Sequence, residues 1–197
     1  IGFFVMIVLL VFQFFKNQNI KAFIVTLIII PTIFFSSYQI IDNFKIRVNS
    51  AIDNVYSFSE NKKNTSVGIR LSYLLNSLQI IKQNAIIGVG TGDFPTEYQK
   101  INQINTPSLP NSTNPHSMFT LVLVQLGLIG FFSMLSIFYY QIKFSYNSSS
   151  TLIRNAGTAL PVLFFVVMFS DSYLLGHFTS LMFIFFSSFL YKDFENS

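Results

Sequence analysis

Long apolar runs alternate with polar segments along the chain, and this pattern predicts an all-α integral membrane protein. A spanning helix needs about 20 mostly apolar residues, and runs of this kind occupy Ile1–Phe15, Ala22–Ile41 and Ser117–Ile142. The apolar stretch Ala156–Tyr191 would form a helix roughly 54 Å long, which fits two joined spans better than one. We therefore expect about five transmembrane helices, with a turn near Asp171–His177 between the last two.

The apolar run at the start of the sequence begins at Ile1. No initiator Met, basic region or small-residue cleavage site precedes it, so the run does not have the pattern of a signal peptide. We expect the sequence to be the C-terminal portion of a larger multi-span bundle.

Basic residues in short loops predict the orientation of the spans, because such residues favour the cytoplasmic side. If the spans alternate, the basic residues beside them all fall on one side: Lys16, Lys21, Lys143, Arg154 and Lys192. The turn at Asp171–His177 has no Lys or Arg and falls on the opposite side. We expect two spans in residues 1–41, an extracytoplasmic loop in 42–115, and three spans with a short cytoplasmic tail in 116–197.

Within the loop, apolar spacing predicts two surface helices joined by a polar break at Glu60–Thr65. Asp42–Phe58 is amphipathic, and a clearer helix begins at Ser66. Residues rich in Asn, Pro, Ser and Thr at Asn102–Asn114 predict irregular loop. Asn114-Pro115 then predicts the start of the third span, with Asn as the N-cap and Pro at the first helical position.

Composition excludes several classes of function. Charged residues make up 10% of the chain, and there is no Cys, which removes disulfides, thiol nucleophiles and Cys-based metal sites. The net charge of +4 comes from scattered residues with no basic cluster, so nucleic acid is not an expected partner. The chain also lacks the Asp-x-Asp pairs and His clusters that hold metals. We expect no metal and no cofactor.

His116 is the sharpest candidate for chemistry. In the first turn of a helix the positive end of the helix dipole favours a neutral imidazole, which can act as a general base. The alternative is an interfacial His that bonds to loop backbone. Arg70 is the second candidate, because its guanidinium matches phosphate oxygens with two parallel bonds. Its alternative is contact with ordinary phospholipid headgroups, which is also the better interpretation of Lys82 and Arg47.

Other candidates lie around these two. Backbone N–H groups of Gly88, Gly90 and Gly92 can bind an anion, although a flexible helix terminator is the better explanation of the run by itself. Asp171 and His177 are ionisable residues beside apolar runs, which makes them candidates for function or polar residues of a turn. A weaker pattern places three residues at a sugar site: Tyr73, Asp93 and Tyr98.

The order of these motifs resembles the O-antigen ligase and polymerase superfamily of bacterial membrane glycosyltransferases. The similarity covers Ser66 to Gly130. It rests on Ser-x-x-x-Arg70 followed by Tyr73, the sequence Gly-Val-Gly-Thr-Gly-Asp-Phe ending at Phe94, Asn-Pro-His116-Ser, and Gln-Leu-Gly-Leu-Ile-Gly ending at Gly130.

The resemblance implies a reaction and roles for particular residues. Such enzymes transfer a glycan from undecaprenyl diphosphate to a hydroxyl acceptor at the periplasmic face of the bacterial inner membrane. Arg70 would bind the diphosphate, His116 would activate the acceptor, and Asp171 would support that pair. Tyr73, the glycine run and His177 would contact substrate. Donor glycan, acceptor glycan or lipid A-core, and membrane lipids are the expected partners.

Three functions remain open from the sequence. The first is a transferase, with a ligase acting on lipid A-core preferred over a polymerase that joins lipid-linked repeats. The second is a transporter or flippase that moves lipid-linked glycans past Arg70, Asp171 and His177. The third is a structural subunit of polysaccharide assembly without catalysis.

Overall fold

A computed structural model describes residues 2–15, 18–59 and 64–191 of the chain. The chain divides into two compact units, Ile1–Ser72 and Tyr73–Ser197. All regular structure in the described residues is helical, which confirms the all-α class. Lys16, Lys192 and most of the polar break at Glu60–Thr65 lie outside the described residues.

The first unit contains the N-terminal helices α1 (Gly2–Phe14), α2 (Asn19–Ile40) and α3 (Asp42–Ser59). A single extended residue separates α2 from α3, and the Tyr38 hydroxyl then donates to Asn49 Oδ1 at 3.0 Å. The unit also contains the beginning of α4 (Ser66–Gln83). Helix α3 lies where the amphipathic surface helix is predicted, and its position at a membrane surface stays a prediction.

The second unit continues α4 from Tyr73 and adds the remaining helices: α5 (Phe94–Asn105), α6 (Met118–Asn147), α7 (Thr151–Val167) and α8 (His177–Leu190). Its apolar core is formed by α6, α7 and the end of α8, with Phe119, Phe138 and Phe164 among the buried side chains. The turn between α7 and α8, with a 3-10 segment at Tyr173–Leu175, lies at the predicted position.

Two of the described helices, α2 and α6, are long and apolar enough to span a bilayer by length and composition. The apolar helices α1, α7 and α8 have 13, 17 and 14 residues, fewer than a full perpendicular span needs. Among the described helices, α2 and α6 are therefore candidate spans, and the number of about five spans stays a prediction.

Helix α6 is interrupted at Gly127, whose φ of 62° and ψ of −159° are not helical. The loop after α4 fills the interruption with backbone hydrogen bonds. Val89 N–H donates to Val124 O at 2.9 Å and Gly90 N–H to Gln125 O at 3.0 Å. In the other direction, the N–H groups after the break donate to two loop carbonyls, Leu128 to Ala85 at 2.8 Å and Ile129 to Ile86 at 3.3 Å.

This arrangement, which we call the α6 splice (residues 85–90 bonded to 124–129), has a clear physical basis. An unbonded backbone group in hydrocarbon costs several kcal/mol, so a broken membrane helix needs partners for its free N–H and C=O groups. The loop backbone supplies them. The close approach also requires glycine, because a Cβ on Gly88 would lie 2.4 Å from the carbonyl carbon of Gln125.

Helix α5 is not predicted from the sequence, and a buried polar network holds the loop that follows it against the helix. Asn102 lies at its centre: its Nδ2 donates to Leu109 O at 3.1 Å and to Asn111 Oδ1 at 2.9 Å. Its Oδ1 accepts from the hydroxyls of Thr106 at 2.6 Å and Tyr98 at 3.5 Å. The segment predicted as irregular loop, Asn102–Asn114, therefore begins with the last residues of α5. The rest of that segment folds back against the helix.

We expect Asn102→Ala to open this part of the loop, because buried hydroxyls and a backbone carbonyl lose their partner. The expected loss of local stability is about 3 kcal/mol. Trypsin cleavage after the exposed Lys100 should then accelerate about 100-fold when opening is fast relative to cleavage. Gln103→Ala, an exposed neighbour on α5, is the control and should leave the rate unchanged. Equal cleavage rates for both variants would contradict a structural role for the network.

Candidate active site

The segment that leads into α6 differs from the prediction. Ser117 is the N-cap, its hydroxyl accepts from Thr120 N–H at 3.4 Å, and the helix begins at Met118. The expectation of Asn114 as N-cap, Pro115 as first helical residue and His116 inside the first turn is therefore wrong. The physical reason is that the Asn114 side chain is used elsewhere, while Ser117 is an equally good cap in the right position.

His116 has a left-handed backbone conformation with φ of 55°. This conformation costs a non-glycine residue about 1–2 kcal/mol, although His adopts it more often than most residues. The backbone N–H of His116 donates to Asn114 Oδ1 at 3.0 Å, which stabilises the turn. Asn114 is itself held by Ser112, whose hydroxyl donates to its carbonyl at 2.6 Å.

The imidazole of His116 contacts the carboxylate of Asp171 across 55 residues of sequence. His116 Nδ1 lies 3.2 Å from Asp171 Oδ1. Because a carboxylate can only accept, a neutral His116 carries its proton on Nδ1 and leaves a lone pair on Nε2. The two side chains are 34% and 42% exposed, so both are partly accessible. This is the geometry of a general base oriented by a carboxylate.

The turn that carries Asp171 is fixed to the start of α6. Met118 N–H donates to Met168 O at 3.0 Å. Asp171 Oδ1 also accepts from its neighbour Ser172 N–H at 2.8 Å, and the Asn114 amide lies 3.5 Å from the same oxygen. These bonds hold the dyad, His116 with Asp171, at the point where the loop meets α6.

Aromatic rings pack behind the dyad. The ring of Tyr73 is stacked on the imidazole of His116, with centroids 5.9 Å apart and an interplanar angle of 15°. Tyr98 meets Tyr73 edge-on at 5.5 Å. Tyr98 is fully buried, and this burial raises its phenol pKa. A contact between Tyr98 and a sugar is therefore wrong as a prediction. Tyr73 is also buried but keeps 7% of its surface exposed, and its contact with substrate stays a prediction.

The glycine run serves the α6 splice. The N–H groups of Gly88 and Gly90 donate to Asn84 O at 2.9 Å and to Gln125 O at 3.0 Å. An anion site built on these two N–H groups is therefore wrong, because the donors are already used within the chain. Gly92 is exposed, with open space where a side chain would be. It is the member of the run whose substrate contact stays a prediction.

The remaining candidates are not joined to the dyad by the contacts described above. Arg70 is exposed on α4, in the part of the helix that belongs to the first unit. His177 is exposed at the first position of α8, beside the ring of Phe178. Asp93 is exposed and precedes α5. The substrate roles of Arg70, His177 and Asp93 stay predictions.

Two residues that bond within the site were missed by the sequence reasoning. The sequence pattern predicts Asn114 only as a helix cap, and it predicts no role for Ser172. The available signal was weak: Asn114 lies two residues before His116, and Asn side chains commonly accept from the N–H two residues on. The bond from the Ser172 hydroxyl to Asn114 Oδ1, at 2.7 Å, joins residues 58 apart and has no local pattern.

Comparison with known proteins gives two findings. A family model described as O-antigen ligase matches residues 1–135, which include Arg70, Tyr73 and His116 but not Asp171. An uncharacterized protein of Haemophilus influenzae is 30% identical over 138 residues, covering 66% of this chain and 33% of the relative. The chain thus spans about a third of the length of that relative.

Proposed function

This chain belongs to the O-antigen ligase family, and from that premise we propose that it forms part of a membrane glycosyltransferase with an undecaprenyl-diphosphate-linked donor. The enzyme transfers the glycan to a hydroxyl acceptor at the extracytoplasmic face of the bacterial inner membrane. A lipid A-core sugar is the proposed acceptor. The observation that carries the proposal is the contact between His116 Nδ1 and Asp171 Oδ1.

The dyad supports a single displacement at the anomeric carbon of the donor. The acceptor hydroxyl oxygen forms the new glycosidic bond, and the bond from the anomeric carbon to the diphosphate oxygen breaks. His116 Nε2 takes the acceptor proton, while Asp171 accepts from Nδ1–H and stabilises the imidazolium that forms. Undecaprenyl diphosphate departs as the leaving group. Because the diphosphate already leaves readily, the enzyme contributes mainly orientation and charge stabilisation.

Arg70 is assigned to the diphosphate through the family resemblance. Its guanidinium is permanently charged and exposed, and it can bind phosphate oxygens with two parallel bonds. In this proposal no metal is required, because Arg supplies the counter-charge that acidic metal ligands would otherwise provide. Tyr73, Gly92 and His177 are the further proposed substrate contacts.

Glycan transfer by the full protein in membranes tests the proposal. His116→Gln keeps a hydrogen-bonding side chain of similar size but cannot act as a base, so transfer should fall about 100-fold or more. Glycan transfer by the Arg70→Ala variant should fall by a comparable factor. Lys82→Ala is the matched control for Arg70, since Lys82 is an exposed basic residue in the last turn of the same helix. Undiminished transfer by both His116→Gln and Arg70→Ala, at equal protein levels, would rule the proposal out.

A lipopolysaccharide gel separates a ligase from a polymerase. Cells that lack a ligase should show bare core, because no glycan reaches it. Cells that lack a polymerase should show core with a single repeat unit, because transfer continues but chain growth does not. The proposal of a ligase predicts the first pattern.

One observation favours a second candidate, a transporter of lipid-linked glycans. Interrupted membrane helices are common at the binding sites of transporters, and α6 is interrupted at Gly127. In α6, however, the loop backbone occupies both ends of the break, so its dipoles are not directed at a ligand. Movement of lipid-linked glycan across vesicles by purified protein, without any transfer, would decide for the transporter.

A further inference from the structure

Asn114 makes hydrogen bonds to both members of the dyad and to Ser172. Its Oδ1 accepts from the backbone N–H of His116 at 3.0 Å and from the Ser172 hydroxyl at 2.7 Å. Its Nδ2 lies 3.5 Å from Asp171 Oδ1. One amide group therefore touches the loop that carries the proposed base and the turn that carries its carboxylate.

The amide is suited to this position because it is donor and acceptor at once. Two N–H or O–H groups point at its oxygen, and its nitrogen faces a carboxylate oxygen. This assignment of the amide oxygen and nitrogen satisfies all three partners, whereas the reverse assignment would set two donors against an NH2 group. The bond to His116 also supports the left-handed backbone that a His adopts at a cost.

We propose that Asn114, supported by Ser172, is a positioning residue that sets the geometry between His116 and Asp171. This inference rests on the proposed function. Asn114 does not contact the reacting atoms; it acts through the dyad. Its loss should therefore slow the chemical step and leave binding of the donor nearly unchanged, because small displacements of a catalytic group lower rate far more than affinity.

Steady-state kinetics of the full protein in membranes provides the first test, with a lipid-linked glycan as donor. We expect Asn114→Ala to lower kcat roughly 10- to 100-fold and to change the donor KM less than about threefold. Ser172→Ala should lower kcat by a smaller factor, because one of the three contacts is lost. Thr113→Ala is the control, since Thr113 is the exposed neighbour of Asn114.

The pH profile of Asn114→Asp provides the second test. The new carboxylate keeps an oxygen for His116 N–H and Ser172 Oγ–H, while its second oxygen replaces Nδ2 and faces Asp171 Oδ1. Activity should therefore lie between that of wild type and that of Asn114→Ala. It also adds negative charge beside the imidazole. The described titratable groups in contact with His116 are Asp171 and Tyr73. The acidic limb of the rate profile should therefore move up by about one pH unit.

The outcomes distinguish this inference from the proposed function. An inactive His116→Gln with a fully active Asn114→Ala would overturn the positioning role and leave the transferase intact. An Asn114→Asp profile that is unshifted, with activity no better than Asn114→Ala at any pH, would also overturn it. Lower amounts of Asn114→Ala in membranes, with wild-type kcat per molecule, would mean that Asn114 serves folding alone and would overturn it as well.

Discussion

Asp171→Asn is expected to lower kcat about 100-fold or more, with little change in the donor KM. The carboxylate accepts from His116 Nδ1–H and so keeps the lone pair on Nε2. An amide can instead donate to Nδ1, which selects the opposite tautomer and removes the base from the side of the acceptor. The amide also lacks the charge that stabilises the imidazolium. In a hydrolase triad the same substitution lowers kcat about 10⁴-fold, and the 42% exposure of Asp171 argues for a smaller effect here.

The measurement is glycan transfer by membranes that contain equal amounts of each variant. Asp53→Asn is the matched control, because it makes the same chemical change at an exposed position of α3. Asp171→Asn with the kcat of wild type would show that the dyad is not the catalytic base. Asp171→Ala provides a further comparison, since it removes the tautomer selection without adding a competing donor.

Gly127→Ala is expected to produce the largest loss of stability in the second unit, about 4 kcal/mol or more. A Cβ at this position would lie 2.3 Å from Ile86 O and 2.7 Å from Gly88 N. Both atoms are backbone, so the clash cannot be relieved by a side-chain rotation. The combination of φ at 62° and ψ at −159° is also one that only glycine readily adopts. Separating the loop from α6 would then leave the free ends of the helix without partners.

Thermal unfolding of the purified full protein in detergent measures this effect. Gly92→Ala measures the cost of the backbone conformation without a steric clash, because Gly92 has a φ of +89° but open space around a Cβ. Gly92→Ala should therefore be destabilising by only about 1–2 kcal/mol. Equal stability losses for the two variants would show that the contact between loop and α6 contributes little.

The sequence predicts the helices that are defined by local apolar patterns. The runs around α1, α2 and α6 give helices within a few residues of the expected positions, and the polar residues near Asp171 mark the turn between α7 and α8. Helix α5 was missed because its buried side chains include Tyr98 and Asn102, which are polar and give no apolar stripe. Only the spacing of four residues from Phe94 to Tyr98 to Asn102 indicates its buried face.

The break in α6 could not be predicted from the local sequence. Gly127 is one of two glycines in an otherwise apolar run, and glycine is common in membrane helices. What interrupts the helix is a segment about 40 residues earlier, whose carbonyls and N–H groups replace the intrahelical bonds. Long-range backbone pairing of this kind leaves no periodic trace in either segment.

The candidate site could be predicted in part. His116 is predicted from its position at the start of a membrane helix and Asp171 as an ionisable residue beside apolar runs, and the structure brings the two side chains into contact. The prediction of Asn114 as a helix cap is wrong, because its side-chain oxygen instead accepts from His116 N–H and the Ser172 hydroxyl. Whether Asn114 caps the helix or bonds to the turn at Asp171–Ser172 depends on the donors and acceptors of that turn, which is distant in sequence.

The α6 splice also constrains the order of events during biosynthesis. Residues 118–126 are too few to cross a hydrocarbon core of about 30 Å, whereas Leu128–Asn147 has the length to do so. The ribosome completes Ala85–Gly90 before it begins α6, so the donors and acceptors that close the break exist before the break does. Because synthesis runs from the N-terminus, the loop backbone that bonds to the break is made before the helix that needs it. A circular permutation that placed the loop after α6 would preserve every hydrogen bond of the α6 splice in the finished protein. During synthesis, however, the unbonded backbone groups at the break in α6 would be exposed to lipid until the loop was made.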